Sequence, residues 1–89
     1  MFKVSLVDSD EKTITLKLEG RIVGPWVNVL RGESDRWFSQ QRRLILDFSE
    51  VTFIDSEGID LAHALMRKGI HLVGFSLFLS EILEKARPE

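Results

Sequence analysis

The side chains with the clearest chemical potential lie in residues 55–58, Asp-Ser-Glu-Gly, which follow an apolar segment. Ser56 is expected at the start of a helix, where backbone N–H groups without partners and the positive end of the helix dipole meet. A phosphate on its hydroxyl would be well placed electrostatically at such a position. The alternative is that Asp55 or Ser56 only caps the helix, a role worth about 1 kcal/mol that requires no further function.

Other reactive side chains do not form a catalytic or metal-binding pattern. Asp47 and Asp55 invite a paired-carboxylate interpretation for acid–base or Mg²⁺ chemistry, but no lysine-bearing phosphate loop or third ligand accompanies them. His63 and His71 have neither metal-ligand spacing nor a nucleophile partner. We therefore expect a protein that is not an enzyme, with no catalytic residues, no metal and no cofactor.

The elements around Ser56 follow from the hydrophobic pattern. Residues 44–48 form an apolar run that predicts a central strand, and a short polar loop is expected after it. Val51, Phe53 and Ile54 then return to the core before a helix over residues 56–68. Gly69 suits the position after that helix.

The hydrophobic pattern of the rest of the chain predicts further strands and helices. Residues 2–7 and 13–18 predict a hairpin, and Pro25 predicts the start of a helix that ends near residue 40 or 41. Residues 70–75 predict a strand, and Ser76 can cap a third helix that ends at Pro88. The order β-β-α-β-α-β-α implies one α/β domain over residues 1–89, with a mainly parallel mixed sheet and right-handed crossovers. The apolar stripes of the three helices are expected to include Trp26, Trp37, Phe38, Met66, Phe78 and Ala86.

Composition excludes several classes of function. The chain has 89 residues, a formal net charge of -2 and no cysteine. The absence of a dominant basic patch argues against nucleic-acid binding, and the lack of cysteine excludes disulfides. No apolar run is long enough to insert into a membrane, and the N-terminus does not have the form of a signal peptide. A cytoplasmic location is expected, with docking onto a membrane complex still open.

Residues 44–59, LILDFSEVTFIDSEGI, resemble the signature of the STAS family, the domains of sulfate transporters and anti-sigma-factor antagonists. The resemblance implies a STAS-type fold and a non-enzymatic role in protein interaction. In antagonist members, the serine that follows the second aspartate is phosphorylated by a kinase-type anti-sigma factor, and here that position is Ser56. The resemblance thus implies an anti-sigma-factor antagonist-like regulator that binds when unphosphorylated and is switched off by phosphorylation.

The chain departs from the antagonist pattern at two positions. Val23 stands where an acidic residue is common, and Glu57 replaces the usual serine or threonine after the phosphoacceptor. The partner-binding residues expected from the resemblance are Asp55, Ser56, Glu57, Asp60, Arg21, Ile22, Val23 and Gly24.

Two alternative functions remain open. The domain could be a constitutive scaffold or accessory subunit of a signalling or lipid-transport complex, in which Ser56 is not phosphorylated. It could also bind a nucleotide or another small ligand, as the family resemblance allows. Many STAS domains continue with a further strand and helix, so residues 72–75 are expected to form a bare sheet edge, which suggests a possible homodimer.

Overall fold

The computed structural model describes residues 1–85, which fold as one α/β domain with a mixed four-stranded sheet. The predicted element order is confirmed. The elements are β1 (Phe2–Ser9), β2 (Thr13–Ile22), α1 (Pro25–Phe38), β3 (Arg43–Ile54), α2 (Ser56–Arg67), β4 (His71–Val73) and α3 (Leu77–Lys85).

The sheet has the order β1-β2-β3-β4. β1 pairs with β2 in the antiparallel sense, as expected for a hairpin, whereas β2–β3 and β3–β4 are parallel. The parallel pairs require crossover connections, and α1 and α2 provide them. Because parallel strands end at the same edge of the sheet, the carboxyl ends of β2 and β3 bring their following loops together.

The core lies between the helices and one face of the sheet. Ile14 pairs with Leu44 and Leu16 pairs with Leu46, and all four side chains are at most 1% exposed. Alternate residues of the same two strands, such as Thr15 and Lys17, are only half-buried. This period of two is the expected signature of a strand with one face in the core.

The polar loop expected after residue 48 is absent, because β3 continues from Arg43 to Ile54 as one strand. The register moves from Lys17↔Asp47 to Glu19↔Glu50, so β3 carries one extra residue opposite β2 at this point, and a second register shift lies between Gly20↔Val51 and Arg21↔Phe53. A β-bulge of this kind places neighbouring polar residues at the surface without ending the strand. Ser49 and Glu50 are both exposed, and this explains why the sequence resembles a loop there.

The apolar stripes predicted for the helices included several side chains that are exposed. Trp26 and Phe38 are each 37% exposed, Met66 is 39% exposed and Phe78 is 54% exposed. The buried residues of α1 are Val27, Leu30 and Ser34, whose spacing of three and four residues defines a narrower face. The predicted end of the third helix at Pro88, and Ala86 in its stripe, lie outside the described residues.

β4 is shorter than predicted. It comprises only His71–Val73 and pairs with residues 45–47 of β3. Ile70 before it is buried, and Gly74 after it turns the chain with φ 79°. β4 therefore covers only the first half of β3, and the segment that leads into α3 lies beside the second half. The homodimer through the edge at residues 72–75 stays a prediction.

Candidate functional site

The turn between β3 and α2 is organised by Asp55, which is the N-cap of α2. Its backbone is extended, with φ −90° and ψ −179°, and its Oδ1 accepts the N–H of Gly58 at 2.8 Å. Ser56 is therefore the first residue of the helix rather than its cap, and its side chain is exposed. Within residues 1–85 its hydroxyl has no hydrogen-bond partner, which leaves the oxygen accessible to a modifying enzyme.

The second carboxylate oxygen of Asp55 binds a different part of the chain. Oδ2 accepts the N–H of Gly24 at 2.9 Å, and the N–H of Asp55 donates to the carbonyl of Ile22 at 3.1 Å. The hydrogen bond from Gly24, followed by that from Gly58, holds the pKa of Asp55 below its ordinary value. Asp55 thus fixes the loop before α1 against the start of α2 and remains ionised while doing so.

Gly24 has a backbone conformation that few residues other than glycine adopt. Its φ is 54° and its ψ is −129°, and the carbonyl of Val23 accepts the N–H of Trp26 at 3.1 Å. These angles, with Pro25 following, correspond to the first central position of a type II′ turn. The turn directs the N–H of Gly24 toward Asp55, so glycine and proline together position the loop.

Gly58 allows α2 to start directly against the ends of β2 and β3. A Cβ atom at this position would lie 2.7 Å from Cγ1 of Ile54 and 2.9 Å from the carbonyl oxygen of Ile22. These distances are shorter than van der Waals contact, so no side chain fits without movement of the backbone. Sequence reasoning did not identify this role, although an Asp-x-x-Gly order at the start of a helix is a detectable signal.

The structure brings most of the predicted contact residues to one surface around the start of α2. Glu57 and Asp60 are exposed on α2. Arg21, near the end of β2, and Gly24, in the loop after it, are also exposed. Asp60 follows Ser56 by four residues, so the two lie on the same helical face. Asp55, Glu57 and Asp60 place three carboxylates within four residues of Ser56 in the chain. We call the surface formed by Gly24, Asp55, Ser56, Glu57 and Asp60 the Ser56 surface.

Two residues of the predicted set are placed differently. Ile22 is 0% exposed, so the expectation that its side chain contacts a partner is wrong; it pairs with Ile54 and points into the core. Val23 is half-buried. The error arose because the strand was expected to end at residue 18, whereas β2 continues to Ile22.

Three further exposed or half-buried side chains near this surface were not predicted. Phe53 carries the guanidinium of Arg21 over its ring, with Cζ 5.3 Å from the centroid, and its centroid lies 6.4 Å from that of Phe78. Leu77 is 87% exposed. The available signal was the position of Leu77 outside the predicted stripe of the third helix, whereas the pattern placed Phe78 inside that stripe.

The other reactive residues have local partners. Oδ1 of Asp47 accepts the N–H of Ser49 at 2.9 Å and thereby supports the bulge, and Nε2 of His63 hydrogen-bonds to the carbonyl of Leu83 at 3.1 Å. Since a carbonyl only accepts, that His63 nitrogen carries the proton. In residues 1–85, no three His, Cys, Asp or Glu side chains are grouped to hold a metal ion. None of the described helices combines the length and apolarity needed to cross a bilayer.

Comparison with solved structures identifies proteins of the same fold. The chain is similar to the anti-sigma factor antagonist SpoIIAA in its unphosphorylated form, with a TM-score of 0.69 and 21% identity over 92% of this chain and 82% of that one. For the phosphorylated form of SpoIIAA, a Bacillus cell fate determinant, the TM-score is 0.69 and the identity 18%, over 96% and 84% of the two chains. The protein named Mglu gives a TM-score of 0.58 and 19% identity over 79% of this chain and 18% of its own.

Sequence comparison places the chain in a family. No curated protein matches it significantly. The family model of the STAS domain matches residues 6–85, which include every element from β2 to α3 and the second half of β1. This match spans most of the 89 residues, and the chain therefore belongs to the STAS domain family.

Proposed function

We propose that this STAS domain is a non-enzymatic regulator of the anti-sigma-factor antagonist type. Its Ser56 surface binds a protein partner, an anti-sigma factor with serine-kinase activity, and phosphorylation of Ser56 ends the binding. The observation that carries this proposal is the division of roles between two neighbouring residues. Asp55 makes the capping hydrogen bond, and the hydroxyl of Ser56 is exposed beside it.

This division means that phosphorylation of Ser56 would not remove a hydrogen bond on which the fold depends. A phosphate at the first residue of α2 would add roughly two negative charges at the positive end of the helix. The nearby carboxylates of Asp55, Glu57 and Asp60 would oppose the same charges. Because these effects have opposite signs, the main consequence is expected at the surface, as repulsion of a bound partner, rather than in the stability of the domain.

The solved structures of SpoIIAA are consistent with such a mechanism. SpoIIAA is an anti-sigma factor antagonist known in both an unphosphorylated and a phosphorylated form. This chain resembles the two forms equally, with a TM-score of 0.69 for each. In that protein, phosphorylation is therefore compatible with the fold that this chain shares, which supports a switch acting at the surface.

The proposal is tested on the protein isolated from its own cells together with whatever co-purifies. Intact mass and peptide mapping are expected to show a phosphoryl group on the peptide that contains Ser56. The group should be absent from Ser56→Ala and present in Ser80→Ala, a control serine that is also exposed on a helix. Unmodified protein in every growth condition, bound firmly to one partner that is insensitive to Ser56→Asp, would contradict the switch and favour a constitutive scaffold subunit.

A further inference from the structure

An apolar and aromatic cluster lies at the carboxyl end of β3, and we name it the Arg21 patch. It consists of Arg21, Phe53 and Phe78, whose side chains contact one another in that order, and of Leu77, which precedes Phe78 at the start of α3. The Arg21 guanidinium lies 5.3 Å above the Phe53 ring, and the Phe53 and Phe78 centroids are 6.4 Å apart. Leu77 is 87% exposed and Phe78 is 54% exposed. Single exposed apolar residues are common, but adjacent ones grouped with an arginine have the composition of an interface core.

The patch is held in place before any partner arrives. Ser76 caps α3, since its Oγ accepts the N–H of Leu79 at 3.1 Å and its carbonyl accepts the N–H of Ser80 at 2.9 Å. The preceding Phe75 packs on the buried Phe48, with ring centroids 5.0 Å apart. Leu77 therefore projects from a helix whose first turn is anchored on the core. A preorganised surface loses little conformational entropy on binding.

The guanidinium of Arg21 favours a partner group of opposite sign at the β2 end of the patch. Among the described residues Arg21 makes no ion pair, and its guanidinium lies over the face of the Phe53 ring. A guanidinium stacked on an aromatic ring keeps its N–H donors at the edge of its plane, where they match both oxygens of a carboxylate. An acidic side chain is the expected counterpart, next to an apolar side chain that covers Leu77 and Phe78.

The patch is continuous with the Ser56 surface. Phe53 and Ser56 are three residues apart in the chain, so their Cα atoms are within about 11 Å of each other. Arg21 is paired with Phe53 across the two strands, and Ile22 beside it is tied to Asp55. One partner protein can therefore cover both surfaces at the same time.

We propose that the Arg21 patch docks an acidic and apolar segment of the same partner that contacts the Ser56 surface; this inference rests on the proposed function. The apolar side chain of that segment seats on Leu77 and Phe78, and its carboxylate pairs with Arg21. A phosphate on Ser56 then acts on this contact from a short distance. It repels the carboxylate of the partner and competes with it for Arg21, which explains how one modification releases the whole interface.

The test uses a photo-crosslinking amino acid in the full chain, expressed in its own cells, at one of three positions. These are Leu77 in the patch, Glu57 in the Ser56 surface, and Val7, a control residue on β1 that is 53% exposed. We expect one and the same protein to be cross-linked from Leu77 and from Glu57 and not from Val7. Cross-linking from Glu57 alone overturns the patch and leaves the proposed function standing. No protein cross-linked from either position overturns both.

The purified partner is then titrated against variants of the domain. Leu77→Ser and Arg21→Gln are each expected to weaken binding at least tenfold, whereas Val7→Ser should leave it unchanged. The dissociation constant of Arg21→Gln should also rise less steeply with added salt than that of the unmodified protein, because one charge pair is lost. Unchanged affinity of Leu77→Ser overturns the inference, since a side chain this exposed is replaced without loss of the fold. A covalent dimer or a lipid adduct from Leu77 also overturns it.

Discussion

The N–H of Gly24 donates a 2.9 Å hydrogen bond to Oδ2 of Asp55, although 31 residues separate the two in the chain. This bond connects the loop before α1 to the cap of α2, and the other oxygen of the same carboxylate holds the helix start itself. The position of Ser56 relative to that loop therefore depends on one ionised side chain.

Removal of this carboxylate is expected to destabilise the domain. Asp55→Ala loses an N-cap worth about 1 kcal/mol and a hydrogen bond to a charged group worth about 1.5–3 kcal/mol. Since one carboxylate accepts both hydrogen bonds, a single substitution removes both contributions. We therefore expect the free energy of unfolding in urea to fall by about 2–3 kcal/mol. Asp60→Ala, on the exposed face of the same helix, is the control and should change it by less than about 0.5 kcal/mol. Equal effects of the two substitutions would contradict the linking role of Asp55.

The same carboxylate predicts a dependence of stability on pH. The pKa of Asp55 is lowered in the folded protein, first by the hydrogen bond from Gly24 and then by that from Gly58. A group with a depressed pKa stabilises the fold above its unfolded pKa, near pH 4, and this contribution is lost as the pH falls through the folded value. Unfolding followed from pH 7 to pH 2 should show a steeper loss for the unmodified protein than for Asp55→Asn. Asp10, whose pKa is lowered by the N–H groups of Lys12 and Thr13, contributes a residual slope in both proteins.

Two glycines in helices should respond in opposite ways to the same substitution. Gly58→Ala introduces a Cβ atom 2.7 Å from Ile54 Cγ1, and overpacking of this kind costs about 1–3 kcal/mol. Gly32 in α1 has no atom within 4 Å of such a Cβ, so Gly32→Ala should stabilise the domain by about 0.5–1 kcal/mol through helix propensity. Chemical denaturation of both variants checks the pair. Stabilisation by Gly58→Ala would show that the start of α2 is less tightly packed than the distances indicate.

A buried hydroxyl in α1 offers a stabilising change. Ser34 is 0% exposed, and its Oγ has no hydrogen-bond partner in the described part of the chain. A buried polar group without a partner costs about 1–3 kcal/mol, and alanine also has the higher helix propensity. Ser34→Ala should therefore raise the free energy of unfolding by about 1 kcal/mol, measured by thermal or urea unfolding. Ser80→Ala, at an exposed helix position, measures the effect of helix propensity alone. An equal gain in the free energy of unfolding from Ser80→Ala would mean that the Ser34 hydroxyl has a hydrogen-bond partner.

The proposed switch predicts that a negative charge at residue 56 weakens partner binding without a large change in the stability of the domain. Ser56→Asp places a carboxylate at the first residue of α2, where the helix dipole favours it and the neighbouring acids oppose it. We expect the free energy of unfolding to change by less than about 0.5 kcal/mol. Affinity for the co-purified partner should fall at least tenfold by titration calorimetry, and Ser56→Ala should keep it. A large loss of stability in Ser56→Asp would assign the serine a structural role instead.

The element order and the place of Ser56 could be predicted from local sequence. The alternation of Ile14, Leu16 and Leu18 and the apolar run at residues 44–48 report one buried sheet face, because side chains of a strand alternate with a period of two. Asp55 and Ser56 before a helical stripe indicate a helix start, since capping depends on residues that are close in the chain. These signals were sufficient for the α/β order and for a helix start at Ser56, whereas the candidate phosphorylation of Ser56 was inferred from the family resemblance.

Tertiary structure decided what depends on residues far apart in the chain. The bulge in β3 follows from its register against β2, and the burial of Ile22 follows from continued pairing with Ile54. The second oxygen of the capping residue Asp55 accepts the N–H of Gly24, which is 31 residues away in the chain. Phe78 is exposed because the short β4 leaves α3 beside the second half of β3. Register and long-range hydrogen bonds arise from packing between elements, and periodicity within one element carries no information about them.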